Sequence, residues 1–425
     1  MEITLFTLLT VLTIVFSLQA LSYVFLMIYA WEDLSAEPQD KLPPAKPFHS
    51  FSALIPARFE ENVIEDTIKA IDGIDYPQNL KEIIVLCRYD DEKTIIKVKN
   101  TIDQLNNPSV CLVEFYDGPI NKPHALNIGL KQAVNDFIVV FDAEDQPHSQ
   151  LYRQINDVIL KQKAEVVQAG VQLMNVSSRW FSVFNVLEYF FWFKSILHFF
   201  ARQGIIPLGG NSVFIRKTLL EKIQGWDESC LTEDADIGLR LSKIKAKVSV
   251  FYQEKFVTQE ETPLTISGFI KQRTRWNLGF LQILAKEDWR SFPSLSQSIL
   301  ALYILLLPSF LVFTLLYIPF SLMSVLTFKV PVGFALGTFL PLLILGLQMT
   351  LYLIGFLEFK RAYQIKTSLL FPLRILLLYF PYQSLLFVST IRASWRLVKG
   401  NLTWEKTHHM NAHRRLNPQA DLVHL

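Results

Sequence analysis

Apolar residues fall along this chain in three kinds of pattern, and each predicts a different kind of element. The first is the long unbroken run. Residues 5–30 are almost wholly apolar and carry no charge, and a helix of about 20 such residues crosses a bilayer core. A cleaved signal peptide is the competing reading. The run is too long for a signal's apolar core, no basic residue precedes it and no small-x-small cleavage site follows it. An N-terminal transmembrane helix over 1–30 is therefore expected. Between residues 298 and 357 the only charge is Lys329, next to Pro331. This predicts two spans, 298–327 and 332–357, joined by a tight turn. A further stretch, 367–390, is apolar but contains Arg374, Pro372 and Pro381. It reads as a span, a broken span or a re-entrant segment.

The second pattern is the short apolar run alternating with helical spacing. Residues 51–56, 83–86, 110–115 and 137–141 read as strands, and 61–71, 91–105 and 125–134 as helices. Such alternation predicts an α/β domain over 51–263, a mostly parallel sheet flanked by helices, which binds ligands at the carboxyl ends of its strands. Proline-rich residues 31–50 form a linker before it. The third pattern is an amphipathic, basic helix within 264–290. Ile266, Phe269, Ile270, Trp276, Phe280, Leu281 and Leu284 interleave with Lys271, Arg273 and Arg275, which suits a membrane interface. The aromatic run 180–200 is expected on the same surface. Residues 297–390 then form a transmembrane region of two spans plus a broken or re-entrant segment, and 391–425 a cytosolic tail.

Charge refines this picture. The net charge is +2 over 425 residues, so nothing points to nucleic acid. Lys360, Arg361 and Lys366 follow one apolar stretch, and Arg392, Arg396 and Lys399 follow the last. The positive-inside rule places both groups in the cytoplasm, which a single plain span at 367–390 does not allow. Cys87, Cys111 and Cys230 lack metal-ligand spacing and read as reduced residues of a cytosolic domain.

Against this framework, acidic motifs sit where strands end. Asp90-Asp91 follows the second strand, and Asp142-Ala143-Glu144-Asp145 follows the fourth. Thr232-Glu233-Asp234 comes next, then Gln272-Arg273-Thr274-Arg275-Trp276. Taken one at a time these are solvated acidic loops, helix caps or an interfacial Trp/Arg belt. In this order, the set resembles the membrane-embedded family 2 glycosyltransferases, among them the cellulose, chitin, hyaluronan and poly-N-acetylglucosamine synthases. The likeness extends to Ile55-Pro56-Ala57-Arg58 with Glu60, to Lys122-x-x-Ala125-Leu126-Asn127, and to Pro207-Leu208-Gly209-Gly210. It covers about residues 50–290.

The resemblance implies a GT-A-like nucleotide-sugar-binding domain plus transmembrane helices. It assigns donor binding to Pro56, Glu60, Asp90, Asp91, Lys122 and Asp142. Either aspartate of the first pair serves the nucleotide base, or Asp91 caps a helix, since the family's usual Asp-Asp-Gly-Ser is here Asp-Asp-Glu-Lys. Asp142 and Glu144 would hold Mg²⁺ or Mn²⁺, hard cations that take oxygen ligands; glutamate replaces the usual second aspartate of Asp-x-Asp. Asp234 would be the general base, and Glu233, Gln272, Arg275 and Trp276 would meet acceptor or diphosphate. The implied activity is inverting, metal-dependent transfer from a nucleotide sugar, UDP favoured over GDP, to a growing polysaccharide. The enzyme would be integral to the cell membrane with its catalytic domain in the cytosol. A lipid acceptor such as ceramide, diacylglycerol or a polyprenol is the alternative. An inactive relative serving as a scaffold is a third reading.

Overall fold

A computed structural model of the protein describes residues 2–31, 46–328, 330–405 and 414. Most of the expected linker and most of the expected tail lie outside the described residues. The chain opens with α1 (Glu2–Ile28). The α/β domain then runs β1 (Phe51–Ala57), α2 (Ile64–Asp72), β2 (Lys81–Arg88), α3 (Glu92–Leu105), β3 (Val110–Phe115), α4 (Lys122–Gln132) and β4 (Phe137–Val140). It continues with α5 (Leu151–Gln162), β5 (Val166–Ala169), β6 (Val171–Leu173), α6 (Ser182–Phe191), α7 (Leu197–Arg202), β7 (Val213–Arg216) and α8 (Lys217–Lys222). It closes with α9 (Glu233–Lys243), β8 (Val248–Phe251), β9 (Thr258–Glu260) and α10 (Ile266–Ala285). After it come α11 (Leu295–Thr327), α12 (Val332–Thr338), α13 (Leu340–Ala362) and α14 (Phe371–Val398).

Seven strands form one sheet in the order β3-β2-β1-β4-β7-β5-β8, and β6 pairs with β9 in a second. The first four strands are parallel, whereas β7 is antiparallel to both neighbours. Alternate residues of the apolar strands go to opposite faces. Ala53, Ile55, Val85 and Val139 meet α2, α3 and α5 on one side, while Leu54, Ile84, Leu86 and Val140 meet α4 and α9 on the other. Both faces are covered, which is why these strands read as unbroken apolar runs. The β4–β7 register matters for the site. Val140 lies opposite Val213, and the Ser212 N–H bonds the Val140 carbonyl at 2.7 Å. The Gly209–Gly210 turn is thereby laid beside Asp142.

The aromatic run 180–200 is not laid open on a surface. Phe184, Phe190, Phe191 and Phe200 are fully buried, in one cluster with Tyr352, Phe356, Phe359, Tyr379 and Tyr382. The run is the joint between the α/β domain and the apolar helices. Lys194 ties the same joint electrostatically, 3.0 Å from both Glu254 and Glu358 of α13.

Among the described residues four helices, α1, α11, α13 and α14, are long and apolar enough to cross a membrane. The expected span 332–357 is divided, with α12 turning into α13 at Phe339. Segment 367–390, expected to be a span, a broken span or a re-entrant segment, is not broken: from Phe371 it forms one continuous helix, α14. Pro372 falls in its first turn, where a missing N–H costs no bond. Pro381 lies inside it, as prolines do in apolar helices whose neighbours help satisfy the freed carbonyl. One stripe of α14, Ile375, Tyr379, Tyr382, Ser389 and Ala393, is buried, while Leu373, Leu377, Val388 and Trp395 are exposed. Its start stacks on α13, with the Phe371 and Phe356 rings 4.8 Å apart. Its far half meets α10, where Asn277 donates to the Thr390 hydroxyl at 2.8 Å.

Candidate active site

One cavity of about 660 Å³ takes in most of the predicted site residues. Its wall includes Pro56, Glu60, Lys122, Asp142, Glu144, Glu233, Asp234, Gln272, Arg275 and Trp276. Asp90 and Asp91 stand behind that wall rather than on it. Asp91 is buried and caps α3, accepting from the Thr94 N–H at 3.4 Å and from the Phe59 N–H at 2.5 Å. Phe59 needs that restraint, because it turns the chain with φ 55°, a region that costs a non-glycine residue. Asp90 is more exposed and accepts two bonds from Arg58, at 2.9 and 3.2 Å. These pairings hold its carboxyl below the usual range. Arg58 and Arg88 are themselves on the cavity wall.

The carboxylates after β4 divide by role. Asp145 is fully buried and holds the turn, accepting from the Asp142 N–H at 2.9 Å and from Asn211 at 2.8 Å. Asp142 and Glu144 face the cavity. Counting from Asp142, the sequence left the second ligand position at Glu144, and the fold likewise turns Glu144 rather than Asp145 to the cavity. Burial, then the charge of Asp142, pushes the Glu144 carboxyl up to about 8. Bringing a cation to these oxygens relieves that repulsion. Among the described residues no three His, Cys, Asp or Glu side chains converge on a metal position. Asp142 and Glu144 are nonetheless hard oxygen donors of the kind a divalent cation takes.

Lys122 is the electrostatic hub. Its ammonium lies 2.5 Å from Asp142, 2.8 Å from the Gly210 carbonyl and 3.8 Å from Glu233. Asn121 sets it there by capping α4 through the His124 N–H. The Asp142 and Glu233 charges hold the Lys122 ammonium above its ordinary value despite burial. Gly210 leaves room for these side chains. A Cβ there would stand 3.1 Å from the Asp234 carboxylate and 3.4 Å from the Lys122 nitrogen.

Asp234 lies in the first turn of α9 and accepts the Ala235 N–H at 2.8 Å. Burial raises its carboxyl, against the opposing pull of Lys122. Glu233 is pushed up to about 7, again first by burial. Thr232 precedes the helix, but its side chain makes no cap. Asp236 does structural work instead. It is 3% exposed and sits between Arg240 at 2.7 Å and Lys286 at 2.9 Å. α10 closes against this turn: a Cβ on Gly279 would stand 2.3 Å from the Thr232 hydroxyl.

Several wall residues were not foreseen: Arg88, Glu188, Tyr189 and Glu260, with Gln348, Tyr379 and Gln383 from the apolar helices. The polar interruptions Gln348 and Gln383 in otherwise apolar runs were the available signal. Nothing marked Glu188 or Glu260, which the fold alone brings to the cavity.

Residues 47–279, more than half of the chain, match the family described as Glycosyltransferase like family 2. The chain belongs to this family. It is a glycosyltransferase, carrying a mostly parallel GT-A-like sheet and four apolar helices of membrane-spanning length. It is 26% identical over 380 residues to a probable glycosyltransferase, YdaM, of Bacillus subtilis, covering 85% of this chain and 87% of that one. It is also 26% identical over 290 residues to the poly-beta-1,6-N-acetyl-D-glucosamine synthase of Staphylococcus epidermidis, covering 65% of this chain and 64% of the synthase. A beta-monoglucosyldiacylglycerol synthase of Nostoc is 26% identical over 249 residues, covering 57% and 51%. The chain thus matches under two thirds of the length of these last two. In fold, it is similar to a mannosyltransferase of Pyrobaculum calidifontis solved with GDP-Man and Mn²⁺, with TM-score 0.61, 17% identity, and 91% and 99% of the two chains covered.

Proposed function

We propose that this glycosyltransferase moves a sugar, with inversion, from a UDP-sugar to a growing polysaccharide at the cytoplasmic face of the cell membrane. The observation that carries this reading is the extent of the cavity. It runs from Arg58 and Arg88 past Asp142 and Asp234 to Trp276, and then on between α11, α13 and α14. There Gln348, Gln383, Thr314 and Thr390 offer polar groups to a hydroxyl-rich chain.

In this reading Pro56, Glu60 and the Asp90–Arg58 pair frame the nucleotide, with Asp91 fixing the loop beneath it. Asp142 and Glu144 hold Mg²⁺ or Mn²⁺, which when bound neutralises the diphosphate as it leaves. Lys122 adds a second positive charge to the phosphate oxygens. Asp234 takes the proton from the acceptor hydroxyl as its oxygen bonds to the anomeric carbon and the diphosphate oxygen departs. Glu233, Gln272, Arg275 and the Trp276 face hold acceptor or diphosphate.

A lipid acceptor is the second reading, favoured by the apolar cavity wall of Leu307, Leu311, Leu345 and Leu386. Membranes incubated with labelled UDP- and GDP-sugars separate the two. A ladder of products on a sizing gel supports the polymer; one lipid-soluble product overturns it in favour of the lipid.

The contacts of α14 support a topology as well. Its start meets the domain-side end of α13, its far half meets α10, and Arg392 and Arg396 both grip Glu405 beyond it. In this reading α14 runs along the domain-facing side of the membrane. The segment after it then shares the cytoplasm with the catalytic domain.

A further inference from the structure

α10 carries a cation that the proposed chemistry does not use. Arg273 lies between Gln272 and Arg275 in sequence, yet it turns to α6, where it pairs with Glu188 and donates to Asn185. Its guanidinium carbon stands 4.6 Å from the centre of the Trp276 ring and 5.1 Å from that of Phe269. Tyr189, next to Glu188, has its ring 6.3 Å from Trp276. Arg273 and Glu188 are 13% and 15% exposed, and both border the cavity beside Trp276. A pair buried so deeply gives up hydration that two apolar side chains would not need to give up. What the pair provides is a fixed guanidinium plane, and a cation over an indole face restrains that ring.

We propose that Glu188 and Arg273 are positioning residues. Glu188 clamps Arg273, and Arg273 holds the Trp276 indole in the plane on which the acceptor sugar stacks. This rests on the reading that Trp276 faces the acceptor. Arg275 lines the same cavity, and in the proposed function it serves acceptor or diphosphate.

The test uses the purified full chain in detergent with labelled UDP-glucose, UDP-N-acetylglucosamine and GDP-mannose, separating sugar transferred to product from sugar released to water. Arg273→Gln should lower transfer by about 10-fold or more, the scale of a desolvated cation–π contact. UDP binding and donor hydrolysis should stay within about twofold, and Arg273→Lys should recover part of the loss. In a Trp276→Leu background, Arg273→Gln should add almost nothing, because two residues acting as a unit are not additive. Equal losses of UDP binding, hydrolysis and transfer, or additive losses in the double variant, would overturn the proposal. A second readout needs no turnover. The emission spectrum of each protein minus that of its Trp276→Phe counterpart reports on Trp276 alone. It should shift to the red in Arg273→Gln and in Glu188→Gln, and an unchanged spectrum refutes the clamp. If the wild type transfers no sugar, the proposed function fails, while this spectrum still judges the pair.

Discussion

At the residue scale, two aspartates only two residues apart in sequence meet different surroundings. Asp234 faces the cavity, and Asp236 is locked between Arg240 and Lys286. Asp234→Asn keeps shape and hydrogen bonding but takes no proton. Turnover should fall by about 10²–10⁴-fold with nucleotide-sugar binding nearly intact. Asp236→Asn should instead lower the melting temperature and leave the chemistry largely in place, because it uncouples two cations from their partner. A dead Asp236→Asn beside an active Asp234→Asn would reverse the assignment. The pH profile gives an independent check. A base must be ionised, so activity falls as pH falls through its pKa. Burial raises that pKa for Asp234, and the Lys122 charge lowers it. The acid limb of kcat should therefore lie above the ordinary aspartate range, and Lys122→Gln should move it to still higher pH at saturating donor. A limb that stays put in Lys122→Gln would show that Asp234 is not the group titrating.

At the scale of elements, the site is made where loops and helices are pressed together. The turn after β4 brings Asp142 and Glu144 to the cavity, where we propose that they hold a cation, with Asp145 and Asn211 bracing it from behind. Chelator should abolish transfer, and Mg²⁺ or Mn²⁺ should restore it; full activity in chelator would rule the metal out. Asp142→Asn should weaken donor binding in the presence of metal. The α9–α10 contact is the other such element. Gly279→Val would drive a side chain into Thr232, and overpacking of this kind costs about 1–3 kcal/mol. We expect reduced turnover with the carboxylates themselves unchanged. Normal kcat in that variant would mean that the turn at Thr232 tolerates displacement of α10.

At the scale of the whole molecule, the domain and the apolar helices share a core rather than a hinge. Phe190 packs edge-on to Phe359, and Phe184 stacks on Tyr382 at 4.8 Å. A cavity that crosses such a joint is bounded by both parts at once. Topology is the test at this scale. Single cysteines placed within 46–290 and at 400–405 should resist a membrane-impermeant thiol reagent applied from outside the cell. Labelling of 400–405 from outside would mean that α14 crosses the bilayer.

Periodicity alone determined much of the architecture. Strand β3 lies where its apolar run predicts, and the sheet is mostly parallel because unbroken apolar strands alternate with helical spacing. The order of the acidic motifs was equally legible, since strand ends and charged residues are local features of a sequence. Duties among neighbouring carboxylates were not. Asp90 is told from Asp91, and Asp145 from Glu144, by partners that distant elements bring: Arg58 and the Phe59 N–H for the first pair, and Asn211 for Asp145. The same holds for Glu188, an unremarkable residue in an aromatic run until α10 packs over it. The continuity of α14 was also decided in three dimensions. Its prolines and arginine argue for a break when taken alone, but a buried stripe facing α13 and α10 supplies the packing that a lone helix lacks.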